Sequence, residues 1–385
     1  MAKETGPRAA YTRAGVDVEA GERAVALMRA AVESTYRPEV IGGLGGFGGA
    51  VAIPAGYREP VLVSSSDGVG TKSAIAAALG RYDTIGRDLV AMCADDVICS
   101  GAAPLFFLDY IAVGRLDPAS VAELVGSIAD GCLEARCALL GGETAEHPGL
   151  MDPGAFDLAG CCTGIVERDR LIDGSRVQAG DAVLGMLSSG LHANGYSLVR
   201  ALLAEHDIEL AEPYQERLMR TLGEAATRAA LAGAPGEALQ TIGEVLLTPT
   251  RIYAGAILDL RTALDAAGFE LRGLAHITGG GLPGNAARML APGLGVRIYP
   301  DRWRMPSVMG LFGALGGLQD DELRATFNGG LGMVAAIEPA AVPSAIAALA
   351  RAGIESLVVG EVVTAGELDG RRYVEASAQP LVTPR

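Results

Sequence analysis

The sequence predicts an α/β protein with two domains. A chain of 385 residues is longer than one hydrophobic core usually organises, and with 50% hydrophobic and 20% charged residues its composition is globular. Apolar segments with strand periodicity alternate with segments of helical spacing. A polar stretch at residues 173–180 separates two such series, so we expect one domain at residues 1–172 and another at residues 173–385.

The first domain is predicted to alternate helices and strands. Apolar residues at helical spacing indicate helices, whereas short apolar runs that end at glycine or proline indicate strands. The predicted helices cover residues 19–33, 72–79, 84–99 and 118–135, and the predicted strands cover residues 60–64, 105–113, 137–140 and 156–167.

The second domain is predicted to start with a strand at residues 182–188, a glycine-containing loop and a helix that ends near residue 206. A second strand–glycine–helix unit covers residues 275–283, and further strands are predicted at 295–299, 333–337 and 357–363. Many of the 53 glycines lie where strands give way to helices. This placement is typical of tight turns and of a backbone that approaches a ligand closely.

The charge of the chain excludes several classes of partner. There are 31 lysine and arginine residues against 46 aspartate and glutamate residues, which gives a net charge of −15. Nucleic acids and anionic membranes would be repelled. Residues 1–15 lack the apolar core of a signal peptide, and the six cysteines have no metal-binding or CxxC spacing. The sequence therefore predicts a cytoplasmic protein with reduced thiols and no membrane partner.

The segment from Asp67 to Lys72 combines an acidic residue, two glycines and a lysine that opens a predicted helix. Helix N-terminal amides and a lysine suit a phosphate group, and an aspartate suits a Mg²⁺ ion that bridges phosphates. An ordinary strand-to-helix turn with an exposed lysine explains the hexapeptide equally well.

The predicted helix 84–99 places a carboxylate among apolar side chains. At 100° per residue, Asp96 lies within the apolar stripe, with Asp88 and Asp95 at its edge. A buried carboxylate is costly unless a cation or a metal ion neutralises it. A metal site and an internal ion pair with an arginine both remain open.

Two glycine-containing segments could complete a nucleotide site. Gly142, Glu143 and Thr144 follow a predicted strand, so Glu143 could converge with Asp67 on one metal–triphosphate complex. The alternative is that Glu143 caps the next segment. The glycine-rich run 42–49 could be a lid over a nucleotide or a flexible linker.

The second domain offers a histidine and a glycine triplet. His192 could be a general acid or base, a phosphate contact or a packing residue, with Asn194 available to cap the following helix. Residues 279–281 are three glycines whose amides could bind a second anion or simply form a tight turn.

Several sequence blocks, taken in order, resemble the phosphoribosylformylglycinamidine cyclo-ligase family. The resemblance covers nearly the whole chain, and any one block alone would be weak. The blocks are YTRAGVD at 11–17, the glycine-rich run 42–49, DGVGTK at 67–72, DLVAMC at 88–93, PLFFLDY at 104–110, GGETAE at 141–146, SSGLHANGYSL at 188–198, LTPTRIY at 247–253 and HITGGG at 276–281.

The resemblance implies ATP-dependent ring closure of formylglycinamidine ribonucleotide to 5-aminoimidazole ribonucleotide in purine biosynthesis. It implies two α/β domains and a homodimer whose N-terminal domains share a β-barrel, with ATP near the interface. By the same resemblance, Asp67 and Glu143, with Asp95 or Asp96, hold Mg²⁺, Lys72 lies near the transferred phosphate, and His192 contacts the reacting oxygen. The other implied nucleotide contacts are Gly45, Gly46, Gly68, Gly70, Thr71, Gly142 and Thr144, and the other implied substrate contacts are Ser66, Asn194, Gly279, Gly280 and Gly281.

Departures from the family pattern and two alternatives accompany this resemblance. Asp95 stands where the family pattern has asparagine, and Ser65 and Ser66 replace an expected glycine–threonine pair. The added charge at Asp95 leaves the metal-ligand set open. The alternatives are an enzyme similar to thiamine phosphate kinase and a catalytically silent nucleotide-binding scaffold.

Overall fold

The computed structural model describes residues 17–378, so most of the sequence block 11–17 and the C-terminal residues 379–385 lie outside the described part. The chain forms two compact units. The first contains residues up to 98, residues 102–169 and residues 246–254, and the second contains residues 99–101, 170–245 and the chain from residue 255 onward. The segment 246–254 thus belongs to the first unit, whereas the sequence placed it in the second domain.

The first unit is built on a four-stranded sheet. The strands of this unit are β1 (Val40–Ile41), β2 (Ala50–Val51), β3 (Pro60–Gly68), β4 (Ala103–Val113), β5 (Ala138–Glu146) and β6 (Phe156–Glu167). Its helices are α1 (Val18–Ser34), α2 (Lys72–Leu79), α3 (Ile85–Cys99) and α4 (Pro118–Ala135). The sheet order is β3-β6-β4-β5, in which β4 and β5 are parallel and the other neighbours antiparallel. Strands β1 and β2 form a separate small hairpin.

Local sequence explains the ends of several of these helices. The Asp17 side chain accepts from the N–H of Ala20 at the start of α1, and Asp117 does the same from Ser120 at the start of α4. Gly80 ends α2 in a left-handed conformation. Strands β3 and β5 are longer than predicted, because each continues through polar residues that the sequence analysis assigned to loops.

The second unit contains a six-stranded sheet in the order β12-β9-β11-β7-β10-β8. The strands are β7 (Ala182–Leu187), β8 (Leu271–His276), β9 (Leu294–Ile298), β10 (Leu331–Ile337), β11 (Ser356–Thr364) and β12 (Tyr373–Glu375), and only β12 runs parallel to its neighbour. The helices are α5 (Tyr196–Glu205), α6 (Tyr214–Leu222), α7 (Glu224–Leu231), α8 (Ile242–Leu246), α9 (Ala254–Ala266), α10 (Gly281–Asn285), α11 (Ser307–Gly316), α12 (Asp320–Thr326) and α13 (Val342–Arg351).

The core of the second unit lies along its central strands. Every residue of β10 is buried, which agrees with its uninterrupted apolar sequence. Val183, Ile277 and Val334 are fully buried members of one apolar cluster. The prediction of a two-domain α/β protein is confirmed. Within residues 17–378, none of the helices is both long and apolar enough to cross a lipid bilayer.

Candidate active site

The junction between β3 and α2 carries the first predicted site residues. Asp67 is exposed, and its carboxylate accepts a hydrogen bond from the N–H of Gly68 at 2.7 Å. Gly70 has a φ of 70°, a left-handed conformation that glycine adopts without steric cost. Thr71 directly precedes α2 and makes no side-chain capping bond. The backbone at this junction can therefore approach a phosphate group closely.

Asp67 lies on the face of the sheet that α3 covers, and Asp96 is a residue of α3 that faces this side of the sheet. Ser65, two residues before Asp67 and so on the same face of β3, donates from Oγ to Oδ2 of Asp96 at 3.3 Å. Burial raises the pKa of the Cys93 thiol, and the negative charges of Asp67 and Asp96 raise it further. The Cys93 thiol also lies 3.9 Å from the main-chain carbonyl oxygen of Asp67, which places α3 beside this end of β3. Two carboxylates together with phosphate oxygens are a ligand set that Mg²⁺ accepts.

Asp95, the neighbour of Asp96, has a different environment. It is fully buried, and its Oδ1 accepts from the N–H groups of Tyr253 and Ala254 at 2.9 and 2.8 Å. A carboxylate at these amides stabilises the start of α9. The predicted order of burial among the three aspartates of α3 was wrong, because Asp88 and Asp95 are buried whereas Asp96 is partly exposed. The predicted metal contact of Asp95 does not fit this position.

Glu143 lies apart from the Asp67–Asp96 pair. Strands β3 and β5 are the two edges of the sheet, so they are about 14 Å apart. The register aligns Asp67, Gly160, Asp109 and Gly142 in one row, and Glu143, the next residue, belongs to the opposite face. Glu143 lies within β5, whereas the sequence predicted that it follows a strand ending at residue 140.

A single metal cluster of Asp67, Asp95, Asp96 and Glu143 is therefore not formed. In the part of the chain that the structure describes, no group of three histidine, cysteine or acidic side chains is placed to hold a metal ion. The physical reason is the geometry just given: one carboxylate is used by main-chain amides, and another is on the far edge of the sheet.

Asp109 lies in the same row as Asp67 and was not predicted as a site residue from the sequence. A Cβ at Gly142 would be only 1.7 Å from Oδ1 of Asp109, so the carboxyl group occupies the space that a side chain at position 142 would fill. Burial raises the pKa of Asp109 to about 7. The signal in the sequence was an acidic residue within the apolar strand 105–113.

Lys72 points into the interior of the first unit. Its side chain and that of Asp88 are fully buried and form an ion pair at 2.8 Å. The ammonium group also donates to the carbonyl oxygen of Thr248 at 2.7 Å. The internal ion pair that the sequence left open is thus present, with lysine in place of arginine. The predicted contact of Lys72 with a phosphate does not fit this buried position.

The glycine-rich run 42–49 connects β1 and β2. Gly45 has a φ of 112°, Gly46 follows it, and the next residue, Phe47, is fully exposed. At the base of this loop, a Cβ on Gly49 would come within 2.2 Å of the Leu140 side chain. The structure therefore brings the root of the hairpin beside the start of segment 141–144, which contains Gly142 and Thr144.

The face of the sheet opposite to α3 exposes apolar side chains. Leu62, Leu108 and Tyr110 are 58%, 37% and 42% exposed. Ser66 belongs to the same face, and its hydroxyl donates to the carbonyl oxygen of Gly160 at 2.9 Å. Glu143 pairs with Tyr110 and so shares this face. We call it the open face.

In the second unit, His192 lies in the loop between β7 and α5. It is 1% exposed and has a φ of 62°, which is uncommon for a residue other than glycine. Its Nε2 accepts from the N–H of Ser189 at 3.2 Å. In the neutral ring the proton is then on Nδ1. Asn194 is not the helix cap, since Gly195 occupies that position.

The glycine triplet 279–281 is close to this loop. A Cβ on Gly279 would lie 3.8 Å from Oδ1 of Asn194, so the structure brings these two predicted substrate contacts together. Gly280 and Gly281 have φ values of 87° and 60°. A Cβ on Gly281 would overlap the carbonyl oxygen of Arg324 at 1.9 Å, so this position admits only glycine.

Two further buried polar residues support these loops and were not singled out from the sequence. Asn328 is 1% exposed, donates to the carbonyl oxygen of Gly190 at 2.8 Å and accepts from the N–H of Gly330 at 2.8 Å. His276 ends β8 directly before the glycine triplet and is 4% exposed. A histidine that follows an apolar strand and precedes three glycines was the available signal.

Comparison with known proteins gives consistent matches. Residues 50–166 match the N-terminal domain and residues 178–371 the C-terminal domain of AIR synthase related proteins. A phosphoribosylformylglycinamidine cyclo-ligase of Gloeobacter violaceus is 52% identical over 92% of this chain and 98% of its own length. The same-named protein of Sorangium cellulosum is 48% identical over 93% and 96%.

Solved structures share the fold at low sequence identity. Thiamine-monophosphate kinase from Stenotrophomonas maltophilia K279a matches with a TM-score of 0.59 at 15% identity, covering 92% of this chain and 95% of its own. HypE of E. coli, a hydrogenase maturation protein, matches with a TM-score of 0.57 at 19% identity, covering 93% and 94%. The family models and the two relatives described above show that the chain belongs to the phosphoribosylformylglycinamidine cyclo-ligase family, a family of ligases that form a carbon–nitrogen bond.

Proposed function

We propose that this chain converts formylglycinamidine ribonucleotide and ATP into 5-aminoimidazole ribonucleotide, ADP and phosphate in purine biosynthesis. The observation that carries the proposal is 52% identity to a cyclo-ligase over 92% of this chain. Each unit carries one group of candidate residues: the first has an acidic pair beside a glycine turn, and the second has a histidine loop beside a glycine triplet.

The reaction has two steps. The formyl oxygen attacks the γ-phosphorus of ATP, and ADP leaves. The amidine-side nitrogen then attacks the former formyl carbon, and the phosphate departs with the formyl oxygen. The attacking nitrogen and the former formamide nitrogen each lose a proton, and a proton shift from the ring CH2 group to the exocyclic nitrogen gives the aminoimidazole. Such chemistry depends mainly on positioning and on neutralising the charge of the transferred group.

Asp67 and Asp96 are the residues that would hold Mg²⁺. Bound there, Mg²⁺ would neutralise phosphate charge. Gly70 and Thr71, at the junction before α2, would contact the phosphates through main-chain amides. Gly68, whose N–H donates to the Asp67 carboxylate, stays assigned to the nucleotide beside them. The hairpin residues Gly45 and Gly46 and the β5 residues Gly142, Glu143 and Thr144 are assigned to the nucleotide, because the root of the hairpin adjoins the start of segment 141–144.

The second unit would bind the phosphate of the ribonucleotide. Its contacts would be Gly279, Gly280 and Gly281 with Asn194, which lies beside the first of them. His192 would donate to the reacting oxygen from Nδ1, since Nε2 already accepts from Ser189. Ser66 stays assigned to the substrate, although its hydroxyl is engaged with Gly160.

We also propose a homodimer that forms through the open face. A sheet face with exposed Leu62, Leu108 and Tyr110 is typical of a surface that another chain covers. A second copy would bury these side chains and would enclose Glu143. The measurement is the molar mass of wild-type protein and Leu108→Asp by light scattering. We expect a dimer and a monomer, respectively, and a wild-type monomer would contradict the proposal.

The function is tested by incubating purified protein with formylglycinamidine ribonucleotide, ATP and Mg²⁺ and following both products by mass spectrometry. We expect aminoimidazole ribonucleotide and ADP in equal amounts. A parallel reaction replaces the substrate by thiamine monophosphate. Formation of thiamine diphosphate would favour the kinase alternative, and nucleotide binding without turnover in either reaction would favour the silent scaffold.

A further inference from the structure

The sequence block 247–253 has no part in the function proposed so far. Thr250, in the middle of this segment, lies 162 residues beyond Asp88 in the chain, yet the segment packs in the first unit. Asp88 Oδ1 accepts from the N–H of Thr250 at 2.8 Å and also from the Thr250 hydroxyl. Lys72 donates to the carbonyl oxygen of Thr248 at 2.7 Å. The buried ion pair therefore holds the segment by both a main-chain carbonyl and a main-chain amide.

The two partners of this ion pair depend on each other. Burial lowers the pKa of Lys72 and raises that of Asp88, and the attraction between them opposes both shifts. Removing one partner leaves the other without its countercharge in the interior, which is far more costly than replacing both by neutral groups. The pair can therefore be tested by comparing single and double substitutions.

A second anchor lies two turns along α3. Asp95 accepts from the amides of Tyr253 and Ala254, as described above. The segment is thus fixed to α3 both at Thr250 and at its C-terminal end, and α3 also carries the partly exposed Asp96.

Lys72 connects this arrangement to the phosphate-binding junction. It is the first residue of α2 and directly follows residues 67–71. The hydroxyl of Ser73 donates to the carbonyl oxygen of Gly70 at 2.9 Å, which ties the turn to the same end of the helix. The contacts that immobilise the Lys72 side chain therefore also restrain the position of residues 70 and 71 at the end of the junction.

We propose that Lys72, Asp88 and Thr250 form a positioning clamp, which holds the junction 67–71 in the geometry that receives the ATP phosphates. Lys72 acts in it as a positioning residue and makes no contact with phosphate. The proposal rests on the proposed ATP site, and it accounts for the Thr248–Pro249–Thr250 part of the block 247–253.

The test compares Lys72→Gln, Asp88→Asn and the double variant. A glutamine–asparagine pair is neutral and keeps hydrogen-bonding atoms at both positions. We expect each single variant to raise KM for ATP by at least about tenfold and the double variant to return kcat and KM to within about threefold of wild type. If the double variant regains thermal stability but stays as inactive as Lys72→Gln, Lys72 contacts the phosphate and the clamp is wrong.

A milder variant keeps the proposal falsifiable if the ion-pair variants do not fold. Thr250→Val removes one hydroxyl donor to Asp88, and Thr262→Val, which removes an exposed hydroxyl bond in α9, is its matched control. We expect Thr250→Val to raise KM for ATP about threefold or more with kcat unchanged, and Thr262→Val to change neither. A loss of thermal stability in Thr250→Val with unchanged KM would overturn the proposal.

ATP affinity measured by calorimetry separates the clamp from the ring-closure function. If wild-type protein binds ATP but forms no aminoimidazole, the proposed function fails, and the clamp is judged on the affinities of the same variants. Weaker ATP binding in Thr250→Val, together with faster hydrogen exchange at residues 248–254, supports the clamp. Unchanged ATP affinity, or no ATP binding by the wild-type protein, overturns it.

Discussion

The two units fix their candidate site residues by different means. In the first unit, charged side chains on one helix do this: Asp88 and Asp95 bind main-chain amides, and Asp96 faces the junction that carries Asp67. In the second unit, main-chain conformation does it, with Gly280 and Gly281 in left-handed conformations.

Because of this difference, substitutions of site residues should affect mainly catalysis in the first unit and mainly folding in the second. A carboxylate can be replaced by its amide with little change of shape, so in the first unit a substitution can remove charge and leave the fold intact. A glycine at positive φ has no such isostere, so in the second unit a substitution acts on the fold itself.

The largest effect is expected from Asp96→Asn or Asp67→Asn. Either change removes one of the two carboxylates assigned to Mg²⁺, so we expect kcat to fall by roughly 100- to 1,000-fold. The measurements are steady-state kinetics of ADP release and thermal unfolding of the same preparations, and we expect the melting temperature to stay close to that of wild type.

Asp95→Asn is the matched control for Asp96→Asn, because the two residues are adjacent on α3. An asparagine Oδ1 still accepts from both amides, so we expect kcat within about threefold of wild type. A loss of activity in Asp95→Asn as large as that in Asp96→Asn would contradict the assignment of the metal contact to Asp96 alone.

In the second unit, Gly281→Ala should act mainly on stability. The added Cβ would overlap the carbonyl oxygen of Arg324, and the φ of 60° disfavours any other residue. Together these effects cost about 2–4 kcal/mol, measurable by chemical denaturation.

Gly279→Ala is the control for Gly281→Ala, since the added Cβ would lie 3.8 Å from Oδ1 of Asn194, which is an ordinary van der Waals distance. We expect it to change the free energy of unfolding by less than about 0.5 kcal/mol. Equal destabilisation by the two substitutions would mean that the close contact between Gly281 and the carbonyl oxygen of Arg324 does not determine the stability of the triplet.

The sequence was sufficient for the two α/β domains and for Asp67, whose place at a strand end follows from local pattern. It failed where the answer depends on residues far apart in the chain. A helical wheel placed Asp96 within the apolar stripe and Asp88 and Asp95 at its edge, but it could not reveal that the segment 246–254 covers Asp88 and Asp95. Nor could it give the strand order that separates Glu143 from Asp67.

In the second unit, the sequence indicated the loops but not how they are held. The glycines and His192 were visible as a pattern. The support by Asn328 was not, because that asparagine lies 138 residues from Gly190, to whose carbonyl it donates. A polar residue that acts at long sequence distance has no local signature.

The smallest effect concerns the pH dependence of stability in the first unit, through Asp109. Its pKa is raised from the ordinary value of 3.8 to about 7 by burial. Between these values the folded protein binds a proton that the unfolded chain has lost, so this group stabilises the fold below about pH 4, and its contribution is lost as the pH rises through about 7. A shift of this size corresponds to about 4 kcal/mol at most, and we expect on the order of 1–2 kcal/mol because Asp109 keeps some exposed surface.

Asp109→Asn isolates this contribution, because asparagine occupies the same space over Gly142 and does not titrate. The free energy of unfolding of both proteins is measured by denaturant titration from pH 4 to pH 8 without metal. The variant should gain stability relative to wild type as the pH rises to about 7, after which the difference should stay constant. A constant difference over the whole range would mean that Asp109 titrates normally, and the row from Asp67 to Gly142 would then be solvated. In that case the carboxylates of the sheet would not be fixed by burial. The contrast between buried carboxylates in the first unit and glycine-built loops in the second would then apply only to the aspartates of α3.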